Sequence, residues 1–326
     1  MTRVGAVRIH ATGGPEVLRI EQVELAAPAA REALVRHHAI GVNFIDTYHR
    51  SGLYPLPLPA VLGTEAAGVV EAVGKGVAEV VVGQRVAYAG TITGAYAEAR
   101  CLPAARLVPL PDDVSCEQAA AMMLKGMTAE YLLRRTHRVA AGETIVFHAA
   151  AGGVGLIACQ WARSLGARVI GVVGSAAKAE LARAHGCAEV VVLPGDDLAG
   201  RVRELTGGRG VPVVYDSVGR ETFEASLDCL APRGLMVSFG NASGPVPPVL
   251  PLALATRGSL YLTRPTLTAY TASRDELIAS AAALFDVVRA GAVRVAVSQR
   301  YPLADVGRAH RDLEGRRTTG SLLLLP

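Results

Sequence analysis

Thr144-Ile145-Val146-Phe147-His148-Ala149-Ala150-Ala151-Gly152-Gly153-Val154-Gly155 is the stretch that decides the fold. Thr144 to His148 is an apolar run of strand length, and Val154 to Leu165 carries a helical pattern that stops at Gly166. Ala150, Gly152 and Gly155 stand at the small-residue positions of a G-x-G-x-x-G loop, with alanine at the first. Such a loop lets main-chain N–H groups approach a pyrophosphate at the positive end of a helix, an approach that a side chain at Gly152 would obstruct. Any tight strand-to-helix turn favours glycine, so the loop takes its meaning from its surroundings.

Those surroundings alternate strand and helix. Arg168–Val173 reads as the next strand, followed by a helix from Ala176 to His185 that closes at Gly186. Glu189–Val192, Pro212–Tyr215 and Leu235–Phe239 follow with helical patterns between them, and Ser259–Leu262 reads as a last strand. Continuous apolar strands separated by helices specify an α/β fold with a doubly wound parallel sheet of Rossmann type, covered on both faces. Before Ser115 the texture is different. Val4–Ile9, Ala33–Ile40, Ala67–Gly74 and Gly83–Tyr88 are short strands, the first running into the turn Gly13-Gly14-Pro15, and their spacing suits a compact barrel-like body. Ser115 is placed to cap a helix over Glu117–Leu124. A long helix over Asp275–Arg289 precedes the strand Ser321–Leu325, which is expected to rejoin the N-terminal β body. Two domains follow: residues 1–124 with 266–326, and residues 125–265 as the nucleotide-binding domain.

The end of the second α/β strand discriminates between nicotinamide cofactors. An Asp or Glu there would bind the ribose 2′-hydroxyl of NAD, but the residues are Val172-Val173-Gly174-Ser175, with Lys178 one helical turn on. The absent carboxylate removes repulsion and the lysine offers a point charge to a 2′-phosphate, which favours NADPH.

Composition excludes several classes. Over 326 residues the hydrophobic fraction is 51% and the charged fraction 19%, enough apolar material for sizeable cores and too little charge for disorder. Aromatics are only 5%, so the cores are built on Ala, Val and Leu. The net charge of +4 is a weak footprint for nucleic acid, and no basic cluster is interleaved with aromatics. Arginine supplies nearly all the positive charge; the lysines are Lys75, in an ordinary glycine turn, Lys125 and Lys178. Cys101, Cys116, Cys159, Cys187 and Cys229 are odd in number and widely spaced, which fits neither a disulfide framework nor a structural zinc site and points to a reducing, cytoplasmic location. Met1–Val4 leads into strand texture without a signal-peptide core, and the uncharged stretches 144–162 and 235–256 read as core and proline-rich loop, not membrane spans.

Longer motifs carry a resemblance over nearly the whole chain. Asn43–Tyr48, Ser51–Pro55, Gly63–Gly68, the Ala149–Gly155 loop, Tyr215–Gly219, Ser238–Asn241 and Thr263–Pro265 resemble the zinc-free, zeta-crystallin-like NADPH:quinone oxidoreductases of the medium-chain dehydrogenase/reductase superfamily. The resemblance implies a GroES-like β-barrel catalytic domain, a Rossmann domain, a cleft holding NADPH, and a homodimer paired through the Rossmann sheet edge at Ser259–Leu262. At the positions where zinc alcohol dehydrogenases carry Cys and His ligands stand Asn43 and Thr64, so no metal is expected; His37, His38, His49 and His148 read as structural or exposed. A quinone accepts hydride without a Lewis acid, leaving positioning and hydrogen-bond donors to carry the rate.

By the same resemblance Asn43, Tyr48 and Tyr54 are the candidate catalytic residues, each tyrosine serving equally well as packing for the nicotinamide or ribose. Cofactor contacts are implied for Phe44, Ile45, Asp46, Thr47, Tyr48, Tyr131, Gly152, Gly153, Gly174, Ser175, Lys178 and Ser217. They extend to Phe239, Gly240, Asn241, Arg264 and Arg316, and Lys125 falls near the domain junction. Bacterial relatives often place a tyrosine after the third Rossmann strand; Leu193 stands there here, leaving Lys178 with more of the phosphate discrimination. Two other functions are compatible with the same fold: reduction of an activated alkene such as an enone or enoyl thioester, and an NADPH-modulated RNA-binding or crystallin-like structural role.

Overall fold

The computed structural model describes residues 2–90 and 92–326; Met1, where the N-terminal reading starts, lies outside them. The chain divides into two compact units, one of residues 1–127, 270–282 and 295–326, the other of residues 128–269 and 283–294.

The second unit is built on six parallel strands in the spatial order Cys187–Val192, Arg168–Val173, Thr144–His148, Val211–Asp216, Leu230–Ser238, Tyr261–Thr263. In chain order this is 3-2-1-4-5-6, the Rossmann arrangement, whose order reverses at the strand feeding the glycine loop. Val146, Ile170, Val172, Val191, Val214 and Met236 fill one core. Sheets of this kind bind ligands outside the carboxyl ends of the strands near that reversal. The edge strand is Tyr261–Thr263, starting two residues later than the Ser259–Leu262 expected from sequence. Ser259 takes a φ of +60°, which interrupts extended pairing. The proline-rich stretch, read as loop, contains the helix Pro251–Thr256; Pro251 opens it, where a missing N–H costs nothing.

The first unit carries a seven-stranded sheet and a three-stranded sheet. Its longest strand, Glu32–Val42, pairs antiparallel with Glu65–Val73, with Ala99–Pro103 and, as expected, with the C-terminal strand Ser321–Leu325, where Leu323 faces Gly41. Elements not anticipated include the helices Phe44–Ser51 and Val306–Glu314 and the strands Arg19–Leu25, Ala99–Pro103 and Val297–Pro302. The Ser115-capped helix exists, with Ser115 Oγ accepting the Gln118 N–H at 3.1 Å, but it spans Cys116–Tyr131, past Leu124. Among the described residues no helix is long and apolar enough to cross a membrane.

Candidate active site

The glycine loop is held by its own main chain. Ala150 N–H donates to Val172 on the neighbouring strand at 3.1 Å, and Gly152 N–H donates to Ala149 at 2.8 Å, with Ala149 at φ +50°. Gly152 then caps the helix Gly153–Ser164 in extended conformation. A Cβ on Gly155 would stand 2.3 Å from the Ala149 carbonyl oxygen and 2.7 Å from the Ala150 main chain, so this position packs helix against loop. A Cβ on Gly152 would come only to 3.1 Å from the same oxygen. Packing therefore explains Gly155, whereas Gly152 keeps a helix N-terminus open.

At the next strand end, Ser175 Oγ accepts the Lys178 N–H at 3.4 Å and opens the helix Ala176–Ala184. Lys178 is half-buried in its first turn, and Gly174 is exposed. No acidic side chain stands between Val172 and Lys178.

A buried anchor that the sequence reading missed supports the neighbouring loop. Asp216 Oδ1 accepts the N–H groups of Val218 and Gly219 at 2.7 and 3.1 Å, and Oδ2 accepts the hydroxyls of Thr222 and Ser226 at 2.7 and 2.9 Å. Since the Ser226 hydroxyl donates to Asp216, its oxygen accepts from His148 Nε2 at 2.9 Å. Burial lowers the pKa of His148, which keeps it neutral. The strand entering the glycine loop is thereby tied to the strand entering the Ser217 loop. Gly240 lies against that loop, a Cβ there falling 2.4 Å from the Ser217 carbonyl oxygen, and Arg264 donates to the carbonyls of Ser238 and Gly240. Gly152, Gly153, Gly174, Ser175, Lys178, Ser217, Phe239, Gly240, Asn241 and Arg264 thus all follow carboxyl ends of parallel strands in one unit. Tyr131, buried at the end of its helix, is in the same unit.

The other candidates lie in the first unit. Asn43 opens the helix Phe44–Ser51: its N–H donates to Asp46 Oδ2 at 2.8 Å, and Asp46 N–H returns to the Asn43 carbonyl at 3.0 Å. Thr47 Oγ1 donates to the Phe44 carbonyl, while Phe44 and Ile45 are half-buried. Tyr48 packs edge-on against Tyr54, ring centres 5.3 Å apart, and Tyr54 N–H donates to the Tyr48 carbonyl. Arg316 is exposed at φ +55° in the same unit.

Asp46 is fully buried. Besides Asn43 it accepts the hydroxyls of Thr64 at 3.2 Å and Tyr96 at 2.8 Å. Burial raises its pKa to about 7 against those donors. The chain continues through His310 Nε2, 3.0 Å from the Tyr96 hydroxyl, to Arg50, which donates to His310 Nδ1 at 3.1 Å and forks onto Glu314 at 2.6 and 2.9 Å. Beside it, Glu65 is buried and receives Asn43 Nδ2 at 2.9 Å, Lys125 Nζ at 3.0 Å and the Leu124 N–H at 2.6 Å. Asn43 and Thr64 thus direct N–H and O–H donors into carboxylates, an arrangement unsuited to a cation. Among the described residues no group of three His, Cys, Asp or Glu is arranged to hold a metal ion. His37 and His310 are also structural, the former between the Ala97 carbonyl and the Tyr88 hydroxyl.

Comparison with known proteins gives a consistent result. Residues 29–112 match the alcohol dehydrogenase GroES-like domain and residues 153–284 the zinc-binding dehydrogenase family. A quinone oxidoreductase of Pseudomonas aeruginosa is 56% identical over 98% of this chain and 99% of its own. The crystal structure of Escherichia coli quinone oxidoreductase complexed with NADPH has a TM-score of 0.97 at 52% identity, covering 99% of this chain and 100% of that one. A 2-haloacrylate reductase of a Burkholderia species is 46% identical over 99% of both chains.

Proposed function

The chain belongs to the quinone oxidoreductase family of the medium-chain dehydrogenase/reductase superfamily, and from that premise we propose that it reduces quinones with NADPH and without zinc. The observation that carries this reading is the carboxyl-end surface of the Rossmann sheet. An open glycine at a helix N-terminus, no acid at the second strand end, and Lys178 in the adjoining first turn together suit a cofactor bearing a 2′-phosphate. NADPH, when bound, supplies the hydride.

The rest is done by this chain's residues. The helix at Gly153 and its open cap take the pyrophosphate, and Lys178 and Ser175 take the 2′-phosphate. Ser217, Phe239, Gly240, Asn241 and Arg264 line the strand ends that orient the remaining cofactor, with Tyr131, Arg316 and residues 44–48 as further contacts. Asn43 donates a hydrogen bond to the quinone oxygen on which negative charge develops. Tyr48 and Tyr54 hold the acceptor ring and donate to its oxygens. Five cysteines without a disulfide support a reducing, cytoplasmic setting. The exposed Tyr261 at the sheet edge, with Leu250 and Leu252 exposed nearby in the chain, supports pairing of two copies along that edge.

The relative named for 2-haloacrylate favours a second reading, reduction of an activated alkene, with the same cofactor. NADPH oxidation against parallel panels of quinones and 2-enones separates the two. Turnover confined to the enones would remove quinone reduction.

A further inference from the structure

We infer that Glu65 and Lys125 are positioning residues for Asn43, a buried ion pair that fixes which atom of its amide is offered to the substrate. The inference rests on the proposed quinone chemistry but concerns contacts within one unit of the chain.

The geometry is specific. A carboxylate only accepts, so the Asn43 atom 2.9 Å from Glu65 Oε2 is the nitrogen. One Nδ2 hydrogen is committed to Glu65; among the described residues no partner takes the second. Lys125 Nζ lies 3.0 Å from the same Oε2, and the Leu124 N–H donates to Oε1 at 2.6 Å. Glu65 is 0% exposed and Lys125 5%, so neither charge is held by bulk water. The space they occupy is reserved: a Cβ on Gly41 would stand 2.2 Å from Glu65 Oε2 and 2.4 Å from the Ala120 carbonyl oxygen. Strand Glu32–Val42, strand Glu65–Val73 and helix Cys116–Tyr131 each give up apolar packing here for a charged pair. An apolar trio would fill such space without desolvating two ions, so core packing alone does not call for this arrangement.

It does answer a catalytic requirement. Hydride addition to a quinone leaves negative charge on an oxygen, and an N–H held in advance stabilises that charge without reorganising. A freely turning asparagine would present its carbonyl as often as its nitrogen. Glu65 removes that choice, and Lys125 holds the Glu65 carboxylate in place through its contact at 3.0 Å. The pair transfers neither proton nor electron; solvent provides the proton that completes the hydroquinone.

The test separates position from stability. In E65Q the introduced amide brings a donor of its own among the three already aimed at that carboxylate, and kcat with NADPH and a quinone falls about 100-fold, while the NADPH Kd stays within twofold. In the double variant E65Q/N43D the buried negative charge returns on the neighbouring side chain and meets both Lys125 and the introduced amide. Thermal stability recovers in this double variant, but kcat does not, because the donor has become an acceptor. Recovery of kcat together with stability would overturn the inference. If neither variant folds, the wild-type protein decides: its Asn43 side-chain amide, assigned by its disappearance in N43D, shows one hydrogen slow to exchange, and two fast-exchanging hydrogens would refute the contact. Absence of quinone turnover in the wild type would instead refute the proposed activity, leaving the amide measurement to report the geometry.

Discussion

Two neighbouring glycines, changed one at a time to alanine, distinguish a loop that binds phosphate from a loop that merely turns. In Gly155→Ala the new Cβ meets the Ala149 carbonyl oxygen at 2.3 Å, whereas ordinary contact begins at 3.4 Å, so main-chain atoms must move by about an ångström. Overpacking of this kind costs about 1–3 kcal/mol, offset by up to about 1 kcal/mol from replacing glycine inside a helix. At about 2–4 °C per kcal/mol for a domain of this size, the melting temperature falls by several degrees. Gly152→Ala is different. Its φ of −82° suits alanine, and the Cβ is tightest against the Ala149 carbonyl oxygen at 3.1 Å, only a few tenths of an ångström inside ordinary contact. The fold is retained within about 2 °C, yet the methyl group stands over the helix N-terminus and removes a charge-assisted bond to the pyrophosphate. That loss of about 1.5–3 kcal/mol weakens NADPH binding roughly 10- to 100-fold. Thermal melts and calorimetric titration of both variants measure the two effects. A Gly152→Ala protein that binds NADPH like the wild type would refute the assignment of this loop.

Further expectations concern charge, chemistry, acid and assembly. Lys178→Ala lowers kcat/KM for NADPH roughly 3- to 10-fold, the loss expected for a half-exposed charged contact, and leaves NADH unchanged; equal losses with both cofactors would remove Lys178 from phosphate recognition. Tyr48→Phe lowers kcat with a quinone because the donated hydroxyl is lost; full retention of kcat would assign Tyr48 to packing alone. Burial holds His37 at about 4, below its ordinary 6.5, so unfolding takes up a proton as pH falls through that window. Its stabilisation, present above pH 6.5 and worth about 3 kcal/mol, is lost towards pH 4, and His37→Gln shows that much less acid destabilisation in urea titrations at pH 7 and 4. Sedimentation of the wild type is expected to give the mass of the proposed dimer and Tyr261→Glu, at the exposed sheet edge, that of a monomer; a dimeric variant would place the interface elsewhere, and a monomeric wild type would remove the dimer.

The nucleotide-binding half was legible because its signals are local. Thr144–His148 and Arg168–Val173 are continuous apolar runs bounded by glycine turns, and their limits were read to the residue. The helix Phe44–Ser51 escaped for the opposite reason. It buries Asp46, Thr47 and Arg50 and leaves Phe44 and Ile45 half-exposed, so no apolar stripe announces it. The helix Val306–Glu314 likewise buries His310 within a charge-rich segment, and the strand Val297–Pro302 exposes Ser298, Gln299 and Arg300 at the sheet edge. Polar networks join residues far apart in the chain: Asn43, Glu65 and Lys125, or Asp46, Tyr96 and His310. Spacing carries no record of such meetings. Two faint signals existed, a glutamate opening an alanine-rich strand and a lysine in a chain that otherwise prefers arginine.

The proposed reaction is hydride transfer from NADPH to a quinone, carried by positioned donors and no metal. Anaerobic mixing of chelator-treated protein with limiting NADPH and excess quinone, followed by the loss of reduced-nicotinamide absorbance, tests it most directly. One NADPH is expected to disappear per hydroquinone formed, at a rate the chelator does not change. No quinone-dependent oxidation, or a rate that chelation abolishes and zinc restores, would contradict it.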